Sequence, residues 1–371
     1  MKIIKVDTRL QLAEFLKFPW KIYSKDSKWV PPLVSFEKSV FSKDKNPFWL
    51  HAERQLFLAC DDNGNILGRI AAILDHGYIA FQNKRTGFFG FFESIDNVQV
   101  AKALFAAALK WLNECGIQEM IGPMNPSTND ECGFLLEGFE LYPSFMMPYT
   151  HEYYLNLAEQ SGLKKIKELY AYDMNIAADS RLKKLEYFAG ISKKKLPGLS
   201  VRTVMKDSSY EKDLRATISV YNKAWEKNWG FVPWTDEEFA YIALKFKRII
   251  DPEMTFIASI NDKPVGILIA LPDYNQILKR LDGRLFPLGI FKFLRYRKEI
   301  DGLRLMVMGV VKEYRHNGIE AVMYEMGLKN ALRLGYKHCE LSWVLDNNII
   351  TQHTAEMMNG RIYKKYAVYS T

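Results

Sequence analysis

Cysteine is scarce in this chain of 371 residues, and the four present, Cys60, Cys115, Cys132 and Cys339, are too far apart for a Cys-x-x-Cys pair or a Cys/His ligand cluster. That spacing argues against a disulfide framework and a structural zinc, so no metal is expected. The six histidines are scattered as well. His316 falls in a turn where a ligand role and a plain surface role are both open, while His338 and His353 read as ordinary strand and helix residues. No uninterrupted apolar run approaches the ~20 residues that span a bilayer. Met1-Lys2-Ile3-Ile4-Lys5 passes into polar sequence without the apolar stretch of a signal peptide, which leads to the expectation of a cytoplasmic protein, with any membrane contact peripheral.

What is present fits a globular chain: 48% hydrophobic and 25% charged residues, at a length that suits two domains. The net charge of +8 suits a polyanionic ligand, an anionic membrane surface or RNA. Its basic residues form no single long tract and no aromatic RNA-binding strand is present, so nucleic acid is disfavoured.

The stretch Val310-Val311-Lys312-Glu313-Tyr314-Arg315-His316-Asn317-Gly318-Ile319-Glu320-Ala321 carries the most information. An apolar run turns through Arg-x-x-Gly into a helical pattern, Ile319, Val322, Met323, Met326, Ala331 and Leu334, which Gly335 stops. The first N–H groups of a helix lack internal partners and the dipole is positive there, so strand, loop and helix in this order make an anion site.

This stretch resembles the Arg/Gln-x-x-Gly-x-Gly/Ala signature of GNAT-type N-acyltransferases, with Glu320 in place of the last small residue. Downstream, Lys337 to Val344 reads as the next strand, Asp346-Asn347-Asn348 follows it, and a short helix ending at Gly360 precedes a last strand, Arg361 to Tyr369. The resemblance implies coenzyme A, or acetyl-coenzyme A as acyl donor, held by Val310, Val311, Arg315, His316, Asn317, Gly318 and Ile319, with Asn347 beside the pantetheine arm. It also implies that the Val310 backbone stabilises the reacting carbonyl. Glu356 stands where the family often has a Tyr that protonates the leaving thiolate, and Tyr363 and Tyr366 are the substitutes at hand.

Two landmarks recur. The hairpin Phe57 to Ala72 returns as Phe256 to Ala270, 199 residues on, and Trp29-Val30-Pro31 returns around Trp229 to Pro233, 200 residues on. The helix Val100 to Cys115, with Ala101, Leu104, Phe105, Ala108 and Leu112 on one face, matches the one that follows the anion loop. The expected fold is therefore α/β (α+β): two tandem GNAT-like units, each a mixed, mostly antiparallel sheet flanked by helices. The expected domains are 1–178, without an anion loop because Phe92 to Asn97 lacks Arg-x-x-Gly, a lysine-rich linker 179–198, and 199–371, which binds coenzyme A.

Gly122 to Gly133 is the densest polar cluster. It reads either as a turn-rich connection or as an acceptor loop, with Asn125, Ser127 and Asn129 binding the acceptor and Asp130 or Glu131 acting as base, beside Glu356 as the third catalytic candidate. Residues 284–298 place aromatic and aliphatic groups beside Lys and Arg, as at a lipid headgroup boundary or along a long acyl chain, or else as an insertion packed over the acceptor cleft. The expected activity is transfer of an acyl group, acetyl or longer, from acyl-coenzyme A to a small-molecule or lipid amine. An aminoacyl-transferring relative and a non-catalytic ligand- or partner-binding protein of the same fold are the alternatives.

Overall fold

Alternating apolar residues joined by the polar turns at Asp61–Asn65 and Asn261–Asp262 fold as two hairpins in the computed structural model, which describes residues 1–176 and 181–371. The expected boundary at 178 lies outside the described residues. By packing, the chain forms two units: Met1–Tyr170 with Asn275–Tyr296 and Tyr363–Thr371, and Ala171–Tyr274 with Arg297–Ile362. The sequence division at 178 and 199 follows the repeat. Packing instead places the insertion and the last strand with the first unit.

From the N-terminus the elements are β1 (Lys2–Lys5), α1 (Arg9–Ile22), α2 (Val34–Val40), β2 (Ala52–Cys60), β3 (Ile66–Asp75), α3 (His76–Gln82), β4 (Thr86–Ser94), α4 (Val98–Glu114), β5 (Glu119–Gly122), β6 (Met124–Asn125), β7 (Glu131–Cys132), β8 (Phe134–Glu137), α5 (Tyr153–Gln160) and β9 (Lys164–Asn175). There follow α6 (Leu182–Lys195), β10 (Leu199–Thr203), α7 (Tyr210–Trp225), α8 (Asp236–Ile249), β11 (Thr255–Ile260), β12 (Lys263–Pro272), α9 (Asn275–Leu278), α10 (Gly289–Tyr296), β13 (Gly302–Val310), α11 (Ile319–Leu334), β14 (His338–Leu345), α12 (Ile349–Met357) and β15 (Arg361–Ser370).

In the first unit the strand order is β1-β2-β3-β4-β5-β15, with β8 also on β15 and only β4 and β5 parallel. In the second it is β9-β14-β13-β12-β11-β10, with β13 and β14 parallel and the run from β10 to β13 antiparallel. Lys5 pairs with Phe57 and Phe57 with Ile70, as Thr203 pairs with Phe256 and Phe256 with Leu268. Each unit is thus a mixed, mostly antiparallel sheet flanked by helices, in which the parallel pair straddles a crossover helix, α4 or α11.

Helix α4 buries the expected face, Ala101, Leu104, Phe105, Ala108 and Leu112, on the first sheet, where Phe105 stacks on Phe92 at 4.6 Å. Each of its large side chains contributes about 1.5–3 kcal/mol by leaving water. The segment read as a linker holds α6, which lies along α11. Leu185, Ala189 and Ser192 form its buried stripe at helical spacing, and the lysine run marks its outer face.

Candidate active site

Strand β13 ends at Val310, a short turn covers Lys312–Tyr314, and α11 begins at Ile319, so the strand, loop and helix order expected from sequence is present. Both His316 (φ 61°) and Gly318 (φ 76°) take the left-handed conformation. For the histidine this costs on the order of 1–3 kcal/mol, a strain typical of ligand-holding turns. Gly318 is the N-cap of α11 and offers no side-chain cap; the ladder starts only with Ala321 and Val322 donating to Gly318 O. The N-terminal face of the helix is therefore left for an anion. On its Cβ side Gly318 is closed by Ser192 of α6, whose Oγ would lie 2.1 Å from an added Cβ. Arg315 braces the loop: Nε donates to Val310 O (3.0 Å) and Nη2 to Ala224 O (2.6 Å). Asn347 is exposed, while its neighbour Asn348 caps α12 by accepting from Thr351 N at 3.2 Å.

The sheet beside this loop is open. The β13–β14 register runs from Gly302–His338 to Leu305–Leu341, whereas β13 stays paired with β12 to Val310–Gly266, past an irregularity at Ile269/Ala270. Val311 N donates to Val265 O, and ladder alternation then turns the backbone groups of Val310 and Met308 away from β12, toward the side that β14 has left. Open-edge N–H groups here suit a developing oxyanion.

The first unit closes the equivalent place. Asn97 Oδ1 accepts from Gln99 N (2.9 Å) and Val100 N (3.3 Å), which caps α4 and removes the anion site. At the end of β4 the largely buried Glu93 carboxylate accepts from Tyr23 Oη (2.8 Å) and Tyr154 Oη (2.7 Å), with Arg69 Nη2 at 3.6 Å. Burial raises its pKa against the opposing pull of Arg69 and the two hydroxyls. A carboxylate fixed there repels a phosphate. Glu93 is one of the two acids that the sequence shows in Phe92 to Asn97, which already counts against an anion site there; its partners Tyr23, Tyr154 and Arg69, far apart in sequence, were missed.

The polar cluster of the first unit is an ordered hairpin, β6 against β7, with Asn125 opposite Glu131. Asn125 Oδ1 accepts from Phe91 N at 2.6 Å, where Phe91 holds φ 50°, and Met124 O crosses Gly90 so closely that a Cβ there would sit 1.8 Å from it. Ser127 Oγ donates to Asp130 Oδ2 (2.6 Å) and accepts from Asn129 N (3.1 Å). The structure thus gathers Asn125, Ser127, Asn129, Asp130 and Glu131 in one loop of the first unit, and the residues from Val310 to Ile319 in the second. Glu356 is exposed on α12 of the second unit. Tyr366 is fully buried, and Tyr363 Oη lies 3.5 Å from Ser144 Oγ.

Beneath α11 and α12 the second unit holds a small apolar cavity of about 60 Å³, lined by Leu303, Leu305, Tyr324, Ala331, Leu341 and Ala355 among others. Burial pushes the Cys339 thiol at its wall up to about 12, so it is no nucleophile at neutral pH. On the opposite face of the same strands, Arg304 Nε donates to Ser342 Oγ (3.0 Å), which donates to Glu340 Oε1 (2.5 Å), all three residues buried. This network ties β13 to β14 at the level where the two part. Single charges inside apolar strands were its sequence signal.

Among the described residues no group of three or more His, Cys, Asp or Glu is placed to hold a metal, and no helix is long and apolar enough to cross a membrane. No protein-family model matches the chain. It is 32% identical to the bacterial ceramide synthase of Caulobacter vibrioides (strain NA1000 / CB15N), over 100% of this chain and 97% of that protein. It is 33% identical to protein YghO of Escherichia coli (strain K12), over 96% of this chain and 92% of that one. Among solved structures, a tandem GNAT protein from the clavulanic acid biosynthesis pathway superposes with a TM-score of 0.58 at 10% identity, covering 100% of this chain and 98% of its own. Two sheets with matching strand order, joined to full-length relatives at this level of identity, place the chain: it has the tandem GNAT fold and belongs to the family of bacterial ceramide synthase and YghO.

Proposed function

We propose that the protein is an N-acyltransferase that moves a long acyl chain from acyl-coenzyme A to the amine of a long-chain lipid acceptor, forming a ceramide-type amide. The observation that carries the reading is the uncapped start of α11 at Gly318 beside the open edge of β13, set against the Asn97-capped counterpart in the first unit. Bound acyl-coenzyme A supplies an activated carbonyl and a thiolate leaving group. The chain's own part is to hold the anionic end on the N–H groups around Gly318 and Ile319, and to offer backbone N–H groups of β13 to the carbonyl oxygen. The apolar lining of the cavity under α11 and α12 suits the hydrocarbon part of an acyl group. The name of the relative from Caulobacter points the same way, since a ceramide is an amide of a fatty acid and a long-chain amine.

Two measurements test this. Isothermal titration of the full chain should show coenzyme A binding that is lost in Gly318→Asp, with circular dichroism confirming an intact fold. Incubation with a long-chain acyl-coenzyme A and a long-chain amino alcohol should give the amide by mass spectrometry. Unchanged binding by Gly318→Asp would remove the donor site, and absence of amide with every chain length would remove the activity.

A further inference from the structure

We infer that the segment 284–296 is a docking face for an anionic lipid bilayer. The inference goes beyond the catalytic reading and stands without it. The segment is held firmly at its base: Val34 N donates to Gly283 O (3.0 Å), Gly283 lies against Trp20 so that an added Cβ would be 2.6 Å from its ring, and Leu281 and Gly289 are buried. Nearby, Asn275 Nδ2 donates to Pro143 O (2.9 Å) and Ser144 O (3.0 Å). From this base the chain presents Phe286, Leu288, Phe291 and Leu294 outward, 72%, 71%, 70% and 51% exposed. Four large apolar side chains on one turn and one eight-residue helix are an unusual amount of apolar surface to leave in water.

Charge selects the occupant. Residues 279–299 hold seven Lys or Arg against two acids, Asp282 and Glu299. Arg284, Lys292 and Arg295 are exposed among the apolar groups, and the Arg280 guanidinium lies over the Tyr296 ring at 4.2 Å. Apolar tips entering the acyl boundary with guanidinium and ammonium groups at headgroup level match an anionic leaflet on both counts, and each basic residue near the surface adds attraction. A fixed display also keeps the ordering cost of docking low.

The test uses the full-length protein and phosphatidylglycerol-containing vesicles, with pure phosphatidylcholine vesicles as control. Wild type should sediment with the anionic vesicles at low salt, and less so at high salt. The double variant Leu288→Asp/Phe291→Asp should lose at least ~tenfold in partitioning, and Lys292→Glu/Arg295→Glu should lose the preference for anionic lipid. Circular dichroism confirms that each variant is folded. Lack of vesicle binding by wild type, or equal binding by Leu288→Asp/Phe291→Asp, overturns the inference. So does self-association that the same variant abolishes without any vesicle binding, because a second copy then covers the face. Turnover of a short, water-soluble amine should be unchanged in these variants, which separates failure of docking from failure of the catalytic reading.

Discussion

Single residues decide which of the two crossover helices keeps an uncapped start. Asn97 and Gly318 occupy the same place in the two sheet-helix turns, and one carries a side chain that saturates the helix start while the other carries none. Glu93 adds a carboxylate on the closed side. Because burial raises its folded pKa above the ordinary 4.5, the share of stability linked to its protonated form is complete below that value and is lost as pH rises through the folded pKa. Glu93→Gln cannot ionise, so wild type should lose stability relative to this variant between acidic and neutral pH. Thermal midpoints across that range check it, and a constant difference would show that Glu93 does not titrate there. If the first unit's polar loop serves the acceptor amine, Asp130→Asn and Glu131→Gln should lower turnover by about 10²–10⁴-fold, the usual share of a positioned base, with coenzyme A affinity unchanged. Wild-type rates in both would leave the loop as the support of Phe91 and Gly90 that its hydrogen bonds already describe.

At the scale of elements, α11 does two things. Its start is the uncapped turn at Gly318 and its middle roofs the apolar cavity. Gly327 lies in that middle with room for a methyl group, since the nearest atoms to an added Cβ, Phe256 Cε2 at 3.8 Å and Leu268 Cδ1 at 3.9 Å, would be at ordinary van der Waals contact. Gly327→Ala should therefore stabilise the protein by up to about 1 kcal/mol, since Ala favours a helix interior over Gly and nothing is displaced. A lowered thermal midpoint would mean that the roof is tighter than it looks. Ala331→Leu fills the cavity from the same helix. If the acyl chain lies there, kcat/KM for long-chain donors should fall ~10-fold or more relative to short ones, the discrimination that a few methylenes provide. An equal effect on all chain lengths would place the acyl chain elsewhere.

At the scale of the whole molecule, sequence order and packing order differ. The last strand, β15, belongs from Tyr363 onward to the first unit, where Tyr369 pairs with Gly122 and its ring meets Phe134 at 6.0 Å. The end of β9 belongs to the second, where Ile176 N donates to Lys337 O. Ending the chain at Ile362 should thus unsettle the first unit. Faster amide exchange in β5, Glu119–Gly122, is the expected readout, and exchange confined to the second unit would contradict the assignment.

The sequence by itself determined the elements, the doubling and the place of the strand-loop-helix turn at Arg315–Gly318. Period-2 and period-3.6 apolar patterns, the two recurrent hairpins and Arg315-x-x-Gly318 are local signals, fixed by backbone geometry within a few residues. Only the tertiary structure decided which strand lies beside which, that α6 in the lysine-rich segment packs on α11, that β13 parts from β14 after Leu305, and that Glu93, Tyr23, Tyr154 and Arg69 meet. Alternation records which face of a strand is buried but not which neighbour its hydrogen bonds reach, and partners as far apart as Ile121 and Ser370 leave no trace in a local pattern.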